Sequence, residues 1–126
     1  MFQWTIFRGP WLLLFWFALM NVLFFLPGSA FPKENWLSAI YFDKWVHIGL
    51  FFVLAFLVRT AVRGTTKKGA AMLLLILLIY GLAVEGIQGA WVANRSSDLN
   101  DVWADMAGAV FGVVVWWEVY KKNKPL

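Results

Sequence analysis

Cysteine is absent from the 126-residue chain and histidine occurs once. The first absence excludes disulfides, thiolate nucleophiles and any cysteine-ligated metal site. The second leaves His47 as the only imidazole for proton transfer or nitrogen ligation. Charge is scarce too, at 14% of residues, where an ordinary soluble domain has about 25%. In its place stand 62% hydrophobic and 19% aromatic residues, 9 of them Trp, and a mean hydropathy of +0.70. A soluble monomer rarely exposes apolar patches beyond a few hundred Å², so this composition excludes a water-soluble globule and makes lipid the solvent. A transmembrane helix needs roughly 20 apolar residues, which leaves room for about four spans and no separate soluble domain.

The 11 basic and 7 acidic residues give a net charge of +4, a balance that in a soluble chain would suggest nucleic acid. Here the charges sit at the ends of apolar runs rather than along a continuous basic face, the pattern of membrane topology. Nucleic acid is therefore excluded as a partner, and the lipid bilayer is the expected one.

Four runs are long and continuously apolar, predicting helices over 11–26, 45–62, 70–91 and 102–120. Only helices and closed barrels satisfy backbone groups in lipid, and continuous rather than alternating hydrophobicity selects helices. The expected fold is all-α: a single polytopic domain over residues 1–126, built as a bundle of four transmembrane helices. With an even number of spans, both termini and the middle loop share a side holding Arg8, Arg59, Arg63, Lys67, Lys68, Lys121, Lys122 and Lys124 against Glu118 alone. Lys33, Lys44 and Arg95 share the other side with Glu34, Asp43, Glu85, Asp98, Asp101 and Asp105. The positive-inside rule then puts both termini in the cytoplasm and the acidic cluster outside. Arg8, the first apolar run and Gly28-Ser29-Ala30 also resemble a secretory signal with its cleavage site; cleavage would leave the acidic side where it is.

Helical spacing groups the polar residues. Asp43 and His47 are i and i+4, Glu85 and Gln88 are i and i+3, and Asp98, Asp101 and Asp105 make an i, i+3, i+7 stripe. All three sets fall at the same predicted membrane side, with Arg95 in the loop between the last two helices. Ionisable groups at membrane depth are costly and mark a site facing the bundle interior. Simpler roles stand beside that reading. Asp98 serves equally as an N-cap with Asp101 at N3, Lys44 as a snorkelling headgroup contact, Asp43 and His47 as a structural pair, and Glu85 with Arg95 as a buried ion pair. None of these accounts for nearly all the acids, the sole His and an Arg gathering at one end.

Gly108-x-x-x-Gly112, extended by Ala104, offers a small-residue face for close helix packing inside the bundle. Trp116, Trp117 and Tyr120 before Lys121 and Lys122 read as an inner interfacial anchor, and Trp36, Trp45, Trp91 and Trp103 as an outer belt.

The ordered set Asp43-Lys44-x-x-His47, Glu85-x-x-Gln88, Arg95-x-x-Asp98-x-x-Asp101 and Gly108-x-x-x-Gly112 resembles the VanZ-like membrane proteins over about residues 40–116. The chain departs from the pattern at Asp105, where many relatives carry Asn. The resemblance implies a small bacterial integral membrane protein of the cytoplasmic membrane, from a family whose founding member is associated with reduced susceptibility to the glycopeptide teicoplanin.

Two functional classes fit. In the first, an outward polar pocket acts on an anionic envelope lipid or cell-wall precursor: Asp43, His47, Glu85 and Asp105 form the acid–base machinery, with Asp43 orienting His47, and Lys44, Gln88, Arg95, Asp98 and Asp101 hold the substrate. A metal-assisted variant uses His47, Glu85, Asp101 and Asp105 as ligands for Zn²⁺ or Mn²⁺, without a diagnostic spacing. In the second, the same pocket sequesters or shields an envelope component or antibiotic without catalysis. No nucleophile elbow, H-E-x-x-H helix or phosphate-cradling loop is present to decide between them.

Overall fold

The computed structural model describes residues 9–27, 42–62, 66–93 and 97–122. They form four helices, α1 (Pro10–Phe25), α2 (Phe42–Ala61), α3 (Lys67–Trp91) and α4 (Leu99–Lys122). Three of these, α2 to α4, are long and apolar enough to cross a membrane. The expected four helices are present, but α1 has only 16 residues. At 1.5 Å per residue it reaches about 24 Å, short of a hydrocarbon core of roughly 30 Å.

The apolar runs place α2, α3 and α4 each to begin three residues later than they do. Hydropathy marks where side chains suit lipid, whereas the backbone starts its helix wherever the first N–H groups find acceptors. On α3 the Thr66 side chain accepts from the Gly69 N–H at 3.0 Å, so Lys67 and Lys68 are already helical. On α4 the Asp98 Oδ1 accepts from the Asn100 N–H at 2.9 Å, bringing Leu99 to Asp101 into the first turn. Pro10 opens α1, where its missing N–H costs nothing.

Helices α2 and α4 run parallel and side by side. A Cβ at Gly108 would overlap the backbone of Ile48, and one at Gly112 the carbonyl of Phe52, so the small-residue face brings the two backbones into direct approach. Since lipid is as apolar as leucine, this packing rather than hydrophobic expulsion holds helices together. Helix α3 returns antiparallel, and α1 covers the bundle by placing Met20 and Phe24 in a core with Phe51, Leu54, Leu77 and Val84. Three polar contacts fasten α1: the Trp16 indole N–H to the Leu50 carbonyl at 3.0 Å, the Tyr80 hydroxyl to Asn21 Oδ1 at 2.8 Å, and the Gln88 amide to the Phe24 carbonyl at 2.9 Å. Gly28 to Ala30, the candidate cleavage segment, lie outside the described residues.

The ends of the bundle differ in sign. Asp43, Lys44, His47, Glu85, Asp98, Asp101 and Asp105 lie at one end, and Arg59, Lys67, Lys68, Glu118, Lys121 and Lys122 at the other. One expected anchor is placed differently: Trp116 is 2% exposed, turned inward beneath the Arg59 guanidinium, which sits 5.1 Å from its ring centroid. Cation–π attraction to a buried arginine outweighs a place among headgroups. Trp117 remains on the surface, as do Trp45, Trp91 and Trp103 at the acidic end; Trp36 lies outside the described residues.

Candidate functional site

The acidic end is assembled from three helices. The first turns of α2 supply Asp43, Lys44 and His47; α3 supplies Glu85 and Gln88 near its end; Asp98 precedes α4, and Asp101 and Asp105 line its first two turns. The parallel register of α2 and α4 sets one series of residues against the other.

Lys44 forms the outer layer. Its ammonium donates to Asp43 Oδ2 at 2.7 Å, Asp98 Oδ2 at 2.7 Å and Asp101 Oδ1 at 2.6 Å, which uses all three of its protons. It is turned onto the carboxylates instead of snorkelling outward. The bond from Lys44, with a second from the Asn100 N–H, holds the Asp98 carboxyl below the usual carboxylate range. Asp98 is thus both N-cap and ion-pair partner, and Asp101 stands at N3 as the capping pattern implies.

His47 forms the inner layer, and its partner is not the residue that local spacing suggests. Nδ1 lies 2.6 Å from Asp105 Oδ1, whereas Asp43 is engaged with Lys44. An i, i+4 carboxylate at an exposed helix start competes poorly with a buried carboxylate delivered by the facing helix. In the neutral imidazole with Asp105 ionised, Nδ1–H donates to the carboxylate and leaves the Nε2 lone pair free. Nε2 points toward Asp101 Oδ2, 3.7 Å away. The Phe24 ring stacks on the imidazole at 5.1 Å.

Glu85 closes the third side. Its Oε2 accepts from the Asp98 N–H at 2.8 Å, and the Ser97 hydroxyl donates to its carbonyl at 2.8 Å, tying the entry to α4 onto the end of α3. Oε1 is buried and has no hydrogen-bond partner among the described residues. His47, Glu85 and Asp101 each offer a ligand atom within 4.8 Å of the other two, and all three residues are buried. Gln88 is directed elsewhere, its amide taken by the Phe24 carbonyl. Arg95 lies outside the described residues.

Side-chain exposure falls from 62% at Asp43 through 40% at Asp98 and 12% at Asp101 to 1% at Asp105. A polar path therefore leads from the end of the bundle to a buried imidazole. Three contributors carry no signal of their own kind in the sequence reading. Phe24 is one apolar residue among many. Ser97 reaches Glu85 because Gly89 leaves its space open. Gly81 makes room for Asp105, since a Cβ there would lie 2.9 Å from Asp105 Oδ2; a glycine one turn before a buried acid was its only trace.

Apolar helices of spanning length around a buried acid–imidazole cluster define an integral membrane protein with a polar site at one end. No curated protein and no solved structure matches the chain. The family model described as VanZ/LLP1 matches residues 2–120, and the chain belongs to that family.

Proposed function

We propose that the protein engages the polar headgroup of an envelope lipid or cell-wall precursor at the outer leaflet of a bacterial cytoplasmic membrane, and acts on it there. The observation that carries this reading is the polar path ending at His47, Glu85, Asp101 and Asp105, walled by helices that otherwise present apolar side chains. Such groups are expensive at membrane depth and persist where they serve a site. In this reading α1 also crosses, both termini are cytoplasmic, and the basic end faces inward. The site residues divide by depth: Lys44, Asp43 and Asp98 organise the entrance, Arg95 supplies the planar fork for a phosphate or carboxylate, and His47 with its neighbours performs the chemistry. Family membership connects the reading to protection against teicoplanin. A second reading, sequestration without catalysis, uses the same pocket and is favoured by the full engagement of Lys44 with protein carboxylates.

The test is expression in a glycopeptide-susceptible bacterium, with inhibitory concentration and membrane abundance measured together. Wild type should raise the tolerated teicoplanin concentration, and His47→Ala should abolish the effect at equal abundance. Arg95→Lys should do the same, because a point charge lacks the bidentate geometry. Full protection by His47→Ala would remove the site from the function; full protection by Arg95→Lys would make Arg95 a counter-ion.

A further inference from the structure

We infer that His47, Glu85 and Asp101 bind a divalent transition-metal ion, Zn²⁺ or Mn²⁺, with Asp105 fixing the imidazole from behind. The inference rests on the proposed envelope-lipid reading only for its purpose; the site itself stands on geometry.

Two carboxylate clusters of ligating geometry occur at this end among the described residues. Asp43, Asp98 and Asp101 make one, and the Lys44 ammonium fills it at 2.6–2.7 Å. His47, Glu85 and Asp101 make the other, and no described ammonium or guanidinium takes that place. The spacing suits an ion. Two ligands about 2.1 Å from a metal at a tetrahedral angle lie roughly 3.4 Å apart, and Nε2 and Asp101 Oδ2 are 3.7 Å apart, too far for a hydrogen bond. Small side-chain adjustments draw the third ligand in.

The second observation is Glu85. It is 3% exposed, and one oxygen of its carboxylate is buried with no partner among the described residues. A buried carboxylate oxygen left unpaired is strongly unfavourable, and ligation of a cation satisfies it. Asp101 divides its two oxygens accordingly, Oδ1 on Lys44 and Oδ2 toward His47.

The third is the Asp105–His47 bond. Metal-ligating histidines almost always donate their other ring N–H to a carboxylate or carbonyl, which orients the ring and raises its basicity. Asp105 is that accepting carboxylate, 1% exposed, and Gly81 leaves the space for it. Asp105, one of the four ligands of the metal-assisted variant, therefore takes a supporting role instead. One imidazole and two carboxylates form a mixed nitrogen–oxygen set that suits Zn²⁺ or Mn²⁺ better than Mg²⁺ or Ca²⁺. With three protein ligands, a coordination position remains for water or a headgroup oxygen. That offers an anionic headgroup a positive contact in a site where, among the described residues, five carboxylates otherwise face one lysine.

The experiment uses the full chain, purified through a tag that contains no histidine, stripped with chelator in detergent and equilibrated with Zn²⁺ or Mn²⁺. Elemental analysis should find about one ion per chain. His47→Ala and Glu85→Gln should each weaken binding by more than about 100-fold, and Asp105→Asn by about 10–100-fold, the range for outer-shell partners. Glu118→Gln, at the opposite end, should bind as wild type does. Because His47 is the only histidine, an imidazole nitrogen coupling in the pulsed EPR spectrum of the Mn²⁺-loaded protein identifies this site even where a variant fails to fold. Wild type without a stoichiometric ion, or with a bound ion that lacks nitrogen coupling, overturns the inference. These readouts do not involve drug susceptibility. Metal binding without protection would retain the site and remove the envelope reading, and protection without metal binding would do the reverse.

Discussion

Asp98 shows how one residue couples two kinds of stabilisation that substitution can separate. Its Oδ1 caps α4 and its Oδ2 receives Lys44. Asp98→Asn retains a capping acceptor and loses the charge, whereas Asp98→Ala loses both and should cost about 1 kcal/mol more through the missing cap. The pH dependence has a definite sign. Lys44 lowers the folded pKa of Asp98, so its contribution is fully present above the unfolded value, about 3.9. It is lost as pH falls through the lower folded value. Melting temperatures in detergent between pH 2 and about 5 should fall less steeply for Asp98→Asn than for wild type; identical slopes would mean that the ion pair contributes nothing. Gly81→Ala tests the inner layer in another way. The new methyl would meet Asp105 Oδ2 at 2.9 Å and push the carboxylate off its line to His47. Protection should fall sharply while the melting temperature changes little, because the end of a side chain moves and no helix does. An equally large loss of stability would show instead that the backbone yields.

At the scale of the helix, the sequence was most legible where composition acts through solvent. Continuous apolar runs locate four helices, and their polar ends locate the site. What could not be read is the pairing across helices, since spacing within one helix favours Asp43 for His47, while the actual partner, Asp105, lies 58 residues away. Only the register of α2 against α4 decides that, and register is set by the glycines. Trp116 was unreadable for the same reason, since its inward turn depends on Arg59 of another helix. The glycine contacts yield a sharp prediction. Gly108→Ala places a methyl into the Ile48 backbone, and Gly49→Ala meets nothing within 4 Å. The first should destabilise by about 1–3 kcal/mol, the usual cost of overpacking. The second should be neutral or stabilise by about 0.5–1 kcal/mol, as Ala in place of a mid-helix Gly does. Thermal melts of the two single variants check this; equal effects would refute close approach of α2 and α4.

The described residues are polarised, with every acid but Glu118 at one end and every lysine and arginine but Lys44 at the other. In a membrane that polarity becomes an orientation. Single cysteines placed in this cysteine-free chain at Ala93, beside the acidic end, and at Lys68, beside the basic end, are both exposed. In intact cells an impermeant thiol reagent should label Ala93→Cys only. Labelling of Lys68→Cys alone would invert the assignment and move the proposed action to the cytoplasmic leaflet.

The parallel pairing of α2 with α4 also has a consequence in time. Lys44 precedes Asp98 by 54 residues, and ribosomes add about 5–20 residues per second, so Lys44 is made roughly 3–11 s before its partner on the entry to α4. During that interval Lys44 has Asp43 beside it, and His47 gains Glu85 once α3 is made, but Asp98, Asp101 and Asp105 are still to come. The site is therefore completed only when α4 is made: a nascent chain that stalls after α3 has Lys44 with one of its three carboxylate partners and His47 without Asp105.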